Sequence, residues 1–281
     1  MLTFGQYNTL QISRRTENGF YLAEKAGGEV LEEVLLPKKF ITPEMKEGDE
    51  LKVFVYKDSE DRPVATTQTP LAVVGEAAYL LVKEITKIGA FLDWGLDKDL
   101  FLPFREQAER VEVGRHYLVY VYFDFASKRV AATTNLNKFI KNKEVTLKQN
   151  EEVDLLITYE NEVGVRVIIN QKHWGILFKN EIFQPIEKGK HMKGFVKKIR
   201  EDGKIDVALQ KQGIAAAKDV RDVLLEKLKE HKGFLKLSDV TPPEEIHALL
   251  GISKKNFKKA VGMLFKEGLI DLPPGLIRLK K

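Results

Sequence analysis

No cysteine occurs among the 281 residues, which removes disulfide scaffolds, thiolate nucleophiles and zinc ribbons together. Histidine is scarce: His116, His173, His191, His231 and His247, with no two within four positions, leave a histidine-based metal site little to build on. There are only five serines, no Gly-x-x-x-x-Gly-Lys phosphate loop, and no assembly of histidine, carboxylate and nucleophile along the chain. No apolar run approaches the roughly 18 residues needed to span a bilayer, and the opening six residues lack the basic and apolar regions of a secretion signal. These absences favour binding over catalysis, without cofactor or metal, in a cytoplasmic protein that makes no use of a membrane.

What is present is a soluble composition, 43% hydrophobic and 31% charged, in a chain long enough for two or more domains at about 100 to 200 residues each. The net charge of +5 and pI near 9.0 are compatible with nucleic acid. Its distribution is more informative. Residues 1–137 sum to −4, residues 138–144 and 145–211 to +2 each, and residues 212–281 to +5.

An internal repeat organises the first three quarters of the chain. The stretch 48–56 returns at 114–122 and again at 189–197, each opening on a glycine (Gly48, Gly114, Gly189). The same offsets relate Leu36-Pro37 to Leu102-Pro103 and Leu177-Phe178. They also relate Val64-Ala65-Thr66 to Val130-Ala131-Ala132 and Ile205-Asp206-Val207. Asn18-Gly19-Phe20-Tyr21-Leu22 matches Ile88-Gly89-Ala90-Phe91-Leu92 at a longer offset, which places four extra residues around Ala26-Gly27-Gly28-Glu29 in the first copy. Each copy reads as short alternating strands. In the fourth of them Leu51, Val53 and Val55 share one face and Lys52, Phe54 and Tyr56 the other. Asp202-Gly203 is a hairpin signal between two such strands. Five short strands in about 65 to 70 residues fit a small barrel of the OB type. The boundaries that follow are 1–69, 70–137 and 145–211, with a basic connector over 138–144.

After residue 211 the period changes to that of helices. Ala217, Val220, Val223, Leu224, Leu225 and Leu228 form the stripe of a helix over about 214–231, with Gly233 at its C-terminal cap. Pro242-Pro243-Glu244-Glu245 opens a second helix, and Ser253 caps a third. On the third, Phe257, Ala260, Val261, Leu264 and Phe265 face inward while Lys254, Lys255, Lys258 and Lys259 face out. Residues 268–279 read as a two-stranded ribbon. Residues 212–281 are therefore a winged helix-turn-helix, and the whole chain is mainly β with a C-terminal α+β domain: three tandem five-stranded OB-fold barrels, then the winged helix.

The run Gly175-Ile176-Leu177-Phe178-Lys179-Asn180-Glu181 resembles the Gly-Leu-Val-His-x-Ser-Glu segment of the S-one RNA-binding domain, and Ile88-Gly89-Ala90-Phe91-Leu92 resembles that family's Phe-Gly-Ala-Phe-Val strand. Three such repeats, a long helix and Ser253-Lys254-Lys255-Asn256-Phe257-Lys258-Lys259-Ala260 resemble, over nearly the full chain, the bacterial conserved virulence factor B family. The resemblance implies binding of RNA and regulation of gene expression after transcription.

Aromatic rings that stack bases and cations that follow phosphates are what single-stranded nucleic acid requires. The residues that suit it are Tyr21, Phe91, Arg166 and Phe178 on strands two and three, Lys193, Phe195 and Lys197 on the third copy's fourth strand, Lys204 beside it, and Lys254, Lys255, Lys258 and Lys259 on the last helix. The third copy has the better electrostatics; the first two, at −4 with their connecting segments, oppose a polyanion. Lysines grip phosphate rather than read bases, and on that helix only Asn256 has base-reading chemistry. Lys138, Lys141 and Lys143 extend the basic track. Phe54, Tyr120 and Tyr122 suit packing between barrels as well as a binding face, whereas Trp94 and Trp174 read as packing residues. The function expected is non-enzymatic binding of single-stranded or loop regions of RNA. The alternatives are duplex DNA recognised by the winged helix, or a protein adaptor on the translation or RNA-decay machinery.

Overall fold

The computed structural model describes residues 2–26, 29–182, 185–210 and 214–280. The chain forms two compact units, 1–141 and 142–281.

In the first unit, β1 (Gln6–Thr16), β2 (Gly19–Ala26), β3 (Glu29–Pro37), β4 (Glu50–Lys57) and β5 (Pro63–Thr66) close into a barrel in the order β1-β2-β3-β5-β4. Leu10, Ile12, Leu22, Val34, Val53 and Val55 alternate into its core. The second copy repeats the elements as β6 (Ala77–Ile85), β7 (Gly89–Leu92), β8 (Leu100–Pro103), β9 (His116–Asp124) and β10 (Arg129–Thr133). Its strand order is the same, but β8 and β10 approach without forming a hydrogen-bonded ladder, so this copy is a partly closed half-barrel of the same OB type. The four extra residues of the first copy lie at the β2–β3 hairpin, whose strands are eight and nine residues against four and four in the second; Gly27 and Gly28 are outside the described residues.

β4 is buried on both faces. Val53 and Val55 fill the first barrel, while Phe54 and Tyr56, on the face that periodicity marks as outward, belong to the core of the second copy. Phe54 is 0% exposed and meets Trp94 edge to face at 5.4 Å, and Trp94 Nε1 donates to the Ala72 carbonyl at 2.6 Å. Polar ties flank this seam. Lys98 Nζ donates to the carbonyls of Lys57 and Asp58 at 2.8 and 2.7 Å, and Arg129 Nε donates to Asp61 at 2.7 Å. Burial, with Arg129 nearby, holds the Lys98 amine below the usual lysine range. Tyr120 and Tyr122 stack on Phe139, at 4.5 and 5.4 Å between ring centres.

The second unit begins with another closed barrel: β11 (Glu152–Glu160), β12 (Gly164–Ile169), β13 (His173–Phe178), β14 (His191–Ile199) and β15 (Ile205–Ala208), in the order β11-β12-β13-β15-β14. The parallel pair β13–β15 closes it, as β3–β5 closes the first. Gly203, at φ 77°, makes the β14–β15 turn. Asn142 anchors the segment before the barrel, donating to the carbonyls of Trp174 and Gly203 at 2.8 and 2.9 Å and accepting from Trp174 N at 2.7 Å.

One backbone position is shared by all three copies. Gly19, Gly89 and Gly164 begin strand two opposite Pro37, Pro103 and Phe178. A Cβ on them would sit 2.0, 2.5 and 2.2 Å from the carbonyl oxygens of Leu36, Leu102 and Leu177. No real side chain fits there, so strands two and three approach each other only through glycine.

The winged helix comprises α1 (Ile214–Glu230), β16 (Phe234–Leu235), α2 (Pro243–Leu250), α3 (Lys254–Lys266), β17 (Ile270–Asp271) and β18 (Ile277–Leu279). Its sheet has three strands, β16-β18-β17, one more than the expected ribbon, because Phe234-Leu235 is too short to show a period. Ser253 Oγ accepts from Asn256 N at the α3 N-cap, and Gly251 ends α2 at φ 67°. Val220, Leu224, Leu228, Phe257, Ala260 and Leu264 share one core. Val223 and Phe265 do not: each lies one residue off the buried stripe and is exposed. Ala217 carries no described side chain.

Phe54→Ala should cost about 3 to 5 kcal/mol, the range for a fully buried phenylalanine. Hydrogen exchange of the full chain should show protection lost in strands of both copies, because the ring packs where the two meet. Loss confined to the first copy would contradict this.

Candidate nucleic-acid interface

Each copy bears a concavity on the same face, walled by strand two, the end of strand three and the hairpin between strands four and five. In the first it includes Tyr21, Pro37 and Arg62; in the second Phe91, Pro103 and Arg129; in the third Arg166, Phe178 and Lys204. Tyr21, Phe91 and Arg166, like Pro37, Pro103 and Phe178, thus correspond both by repeat and in space.

Their electrostatics differ. The first concavity holds Glu33, Asp58 and Asp97, which bind its own cations: Arg62 pairs with Asp58 at 2.8 Å and Lys39 with Asp97. Tyr21 is covered on one face by Arg14, 3.9 Å from the ring centre, and Arg14 is paired in turn with Glu33 at 2.9 Å. In the second, of about 360 Å³, Asp99 pairs with Lys83 at 2.8 Å, Arg129 with Asp61, and Lys98 serves the seam already described. Phe91 leans on Phe101 at 5.3 Å.

The third, of about 350 Å³, has Arg166, Arg200 and Lys204 in its wall and no carboxylate among the described residues. Arg200 is held from behind by Asp206 at 2.9 Å, and Lys204 pairs with Asp202 at 2.8 Å. Arg166 has no acidic partner among the described residues. Its guanidinium lies 3.7 Å over the Trp174 ring, and loss of water there lowers its pKa from the usual arginine value. Arg200 stands 5.6 Å from the centre of the Phe178 ring. Half-buried Trp174 and Phe178 with three cations are the combination that stacks bases and meets phosphates.

The structure divides the residues expected from the third copy. Arg166, Phe178 and Lys204 converge, joined by Trp174 and Arg200, which sequence reasoning does not include. Trp174 follows the two-residue alternation of Phe178 along β13, and that period is the signal that links them. Lys193, Phe195 and Lys197 lie on β14 and do not line the concavity; Lys193 pairs with Asp154 at 3.2 Å and Lys197 with Glu181. In the connector, Lys138 is tied to Glu106 at 2.8 Å and Ile140 is buried, so this stretch packs on the second copy.

On α3, Lys255, Lys258 and Lys259 are exposed and Lys254 half-buried. None of the four has an ion-pair partner among the described residues. Asn256 is not available to read bases. It is 4% exposed, and its Nδ2 donates to Gln210 Oε1 at 3.2 Å. Gln210 also donates to the Gly251 carbonyl at 3.0 Å, tying the barrel's end to the start of α3.

Among the described residues, no helix is long and apolar enough to cross a membrane. A chain carrying Trp94→Phe reports on Trp174 alone. Its emission should be quenched on titration with single-stranded oligonucleotide, and the reciprocal Trp174→Phe chain should respond little. Equal responses would remove Trp174 from the interface.

The S1 domain family matches residues 4–68 and 74–135, the first two copies, and the CvfB-like winged helix domain matches residues 222–279. The third copy, whose Gly175–Glu181 run resembles an S-one segment, lies outside those matches and shares the strand order of the first. The chain is 24% identical to the Bacillus subtilis protein YitL, over 99% of this chain and 94% of that one. It is 23% identical to conserved virulence factor B of Staphylococcus haemolyticus, over 94% and 91%. A solved structure described as a multidomain protein with nucleic acid binding domains from Streptococcus pneumoniae aligns over 99% of this chain and 98% of that one, with 21% identity and a TM-score of 0.40. Two S1 domains and a CvfB-like winged helix domain are thus recognised in the chain, and its similarity to the proteins named YitL and conserved virulence factor B extends over nearly its full length.

Proposed function

We propose that this protein is a non-enzymatic, cytoplasmic RNA-binding regulator of gene expression that holds single-stranded or loop RNA. The concavity of the third barrel, which has no carboxylate among the described residues, carries this reading. Bases stack on Trp174 and Phe178, at about 1 to 3 kcal/mol per base, while Arg166, Arg200 and Lys204 meet phosphates. The lysine face of α3 adds phosphate contacts of low sequence specificity. The first two barrels, whose cations are engaged with their own carboxylates, serve chiefly as a scaffold.

Affinity for matched single-stranded RNA, single-stranded DNA and duplex DNA, measured across several salt concentrations, tests this. RNA should bind with an affinity that falls steeply with salt. Arg166→Glu with Lys204→Glu should weaken it at least ten-fold, and Arg62→Glu in the first barrel should change it less than two-fold. No RNA binding at low salt would refute the reading.

The four α3 lysines, free of ion pairs among the described residues, also favour a second reading, phosphate contact with duplex DNA. Lys254, Lys255, Lys258 and Lys259 changed together to Glu should weaken RNA binding several-fold in a folded chain. A chain that prefers duplex DNA, and loses only that binding in this variant, supports the second reading instead.

A further inference from the structure

We infer that the outward face of the winged-helix sheet is a second surface for single-stranded RNA, where a base stacks on Phe234 and phosphates meet Lys229, Lys232, Arg278 and Lys280. The inference rests on the RNA-binding reading above but concerns residues which that reading does not use.

The placement follows from register. Leu235, Ile270 and Ile277 point into the core shared with α1 and α3. Phe234 pairs with Arg278, and Arg278 with Asp271, so these three form one row across β16, β18 and β17 on the opposite face. Lys280 follows Arg278 by two residues along the chain. Phe234, Asp271, Arg278 and Lys280 line one concavity of about 790 Å³ with Lys229 and Lys232 from the end of α1 and its turn. The sheet and α3 bury their inner faces in the same core, so this surface and the α3 lysines face away from it on different sides.

Among the described residues, four cations stand here against one carboxylate. Asp271 is shared between Arg278 and Lys280, each at 3.4 Å, and neither Lys229 nor Lys232 has an ion-pair partner among the described residues. Lys232 is held at φ 58°, a backbone region that favours glycine or asparagine. Phe234 is 46% exposed, and its ring meets no aromatic or cationic partner among the described residues. A bare ring on the edge strand of a cationic sheet face, with Arg278 beside it on the central strand, is ill suited to water and well suited to a nucleobase whose phosphates meet the neighbouring cations. An acidic peptide would satisfy the cations and leave the ring unused. A duplex keeps its base faces stacked, so a platform of this kind selects single strands.

The test uses the full chain and a fluorescein-labelled oligouridine long enough to reach beyond one barrel, read by anisotropy. Phe234→Ala and Phe234→Leu, with melting temperatures confirming the fold, should each weaken binding about five-fold or more. Arg278→Gln with Lys280→Gln should lower the slope of log affinity against log salt by about 1.4, since each phosphate of a single strand that a cation neutralises contributes about 0.7. RNA carrying 5-iodouridine should crosslink to the peptide containing Phe234. If binding persists, responds to Arg166→Glu, and is unchanged in the folded sheet variants, the sheet surface is overturned and the barrel reading stands. If the unaltered chain binds no RNA, both fall. If only the cation variant matters and polyglutamate competes equally well, the face is an acidic-protein surface and the inference is overturned.

Discussion

Strand two meets strand three in every repeat at a glycine, because the carbonyl of the residue before Pro37, Pro103 or Phe178 occupies the space a Cβ would need. That close approach fixes where strand two emerges onto the surface. Two residues later come Tyr21, Phe91 and Arg166, each in the wall of its concavity. The same approach brings the end of strand three alongside, so a ring or a proline always forms the adjoining wall. The backbone thus offers one location three times, and what differs is the chemistry placed there.

In the first two copies that chemistry has turned inward. Arg14, Arg62 and Lys39 are held by Glu33, Asp58 and Asp97, and Arg129 by Asp61. Exposed pairs of this kind contribute little stability, but they cancel the field that a phosphate would feel. Adhesion between these copies lies elsewhere, in Phe54 and Trp94, where burial of two large rings joins them. In the third copy Asp206 supports Arg200 from the barrel side, Arg166 lies against an indole instead of an acid, and of the three cations Lys204 alone pairs with an exposed carboxylate, Asp202. The resulting groove is cationic, partly dry and aromatic. The winged helix has its charge exposed in the same sense, with lysines on α3 that pair with no acid among the described residues.

Much of this is legible from local pattern. The repeat offsets locate the fourth and fifth strands and the end of the third in all three copies, and strand two in the first two, and the Asp202-Gly203 turn and the Ser253 cap lie where expected, since turns and caps depend on residues within a few positions of each other. Tyr21, Phe91, Arg166 and Phe178 follow from repeat position and do share one face. Lys193, Phe195 and Lys197 follow from alternation on the fourth strand, which distinguishes two faces of a strand but not which part of a barrel's exterior a face belongs to. Trp174 reads as packing because tryptophan beside glycine usually packs; its place in the groove depends on β12 setting Arg166 over it.

By itself the sequence determined the three repeats, the barrel and winged-helix classes and the excess of positive charge at the C-terminal end, all consequences of periodicity and composition. Only the tertiary structure decided which outward faces stay outward. β4 has two apolar faces because a second sheet covers the one that period two assigns to solvent. Asn256 is withdrawn from the helix surface because Gln210, 46 residues away, accepts its hydrogen bond. A residue's partner across such a distance is set by how the chain packs, and no local period encodes it.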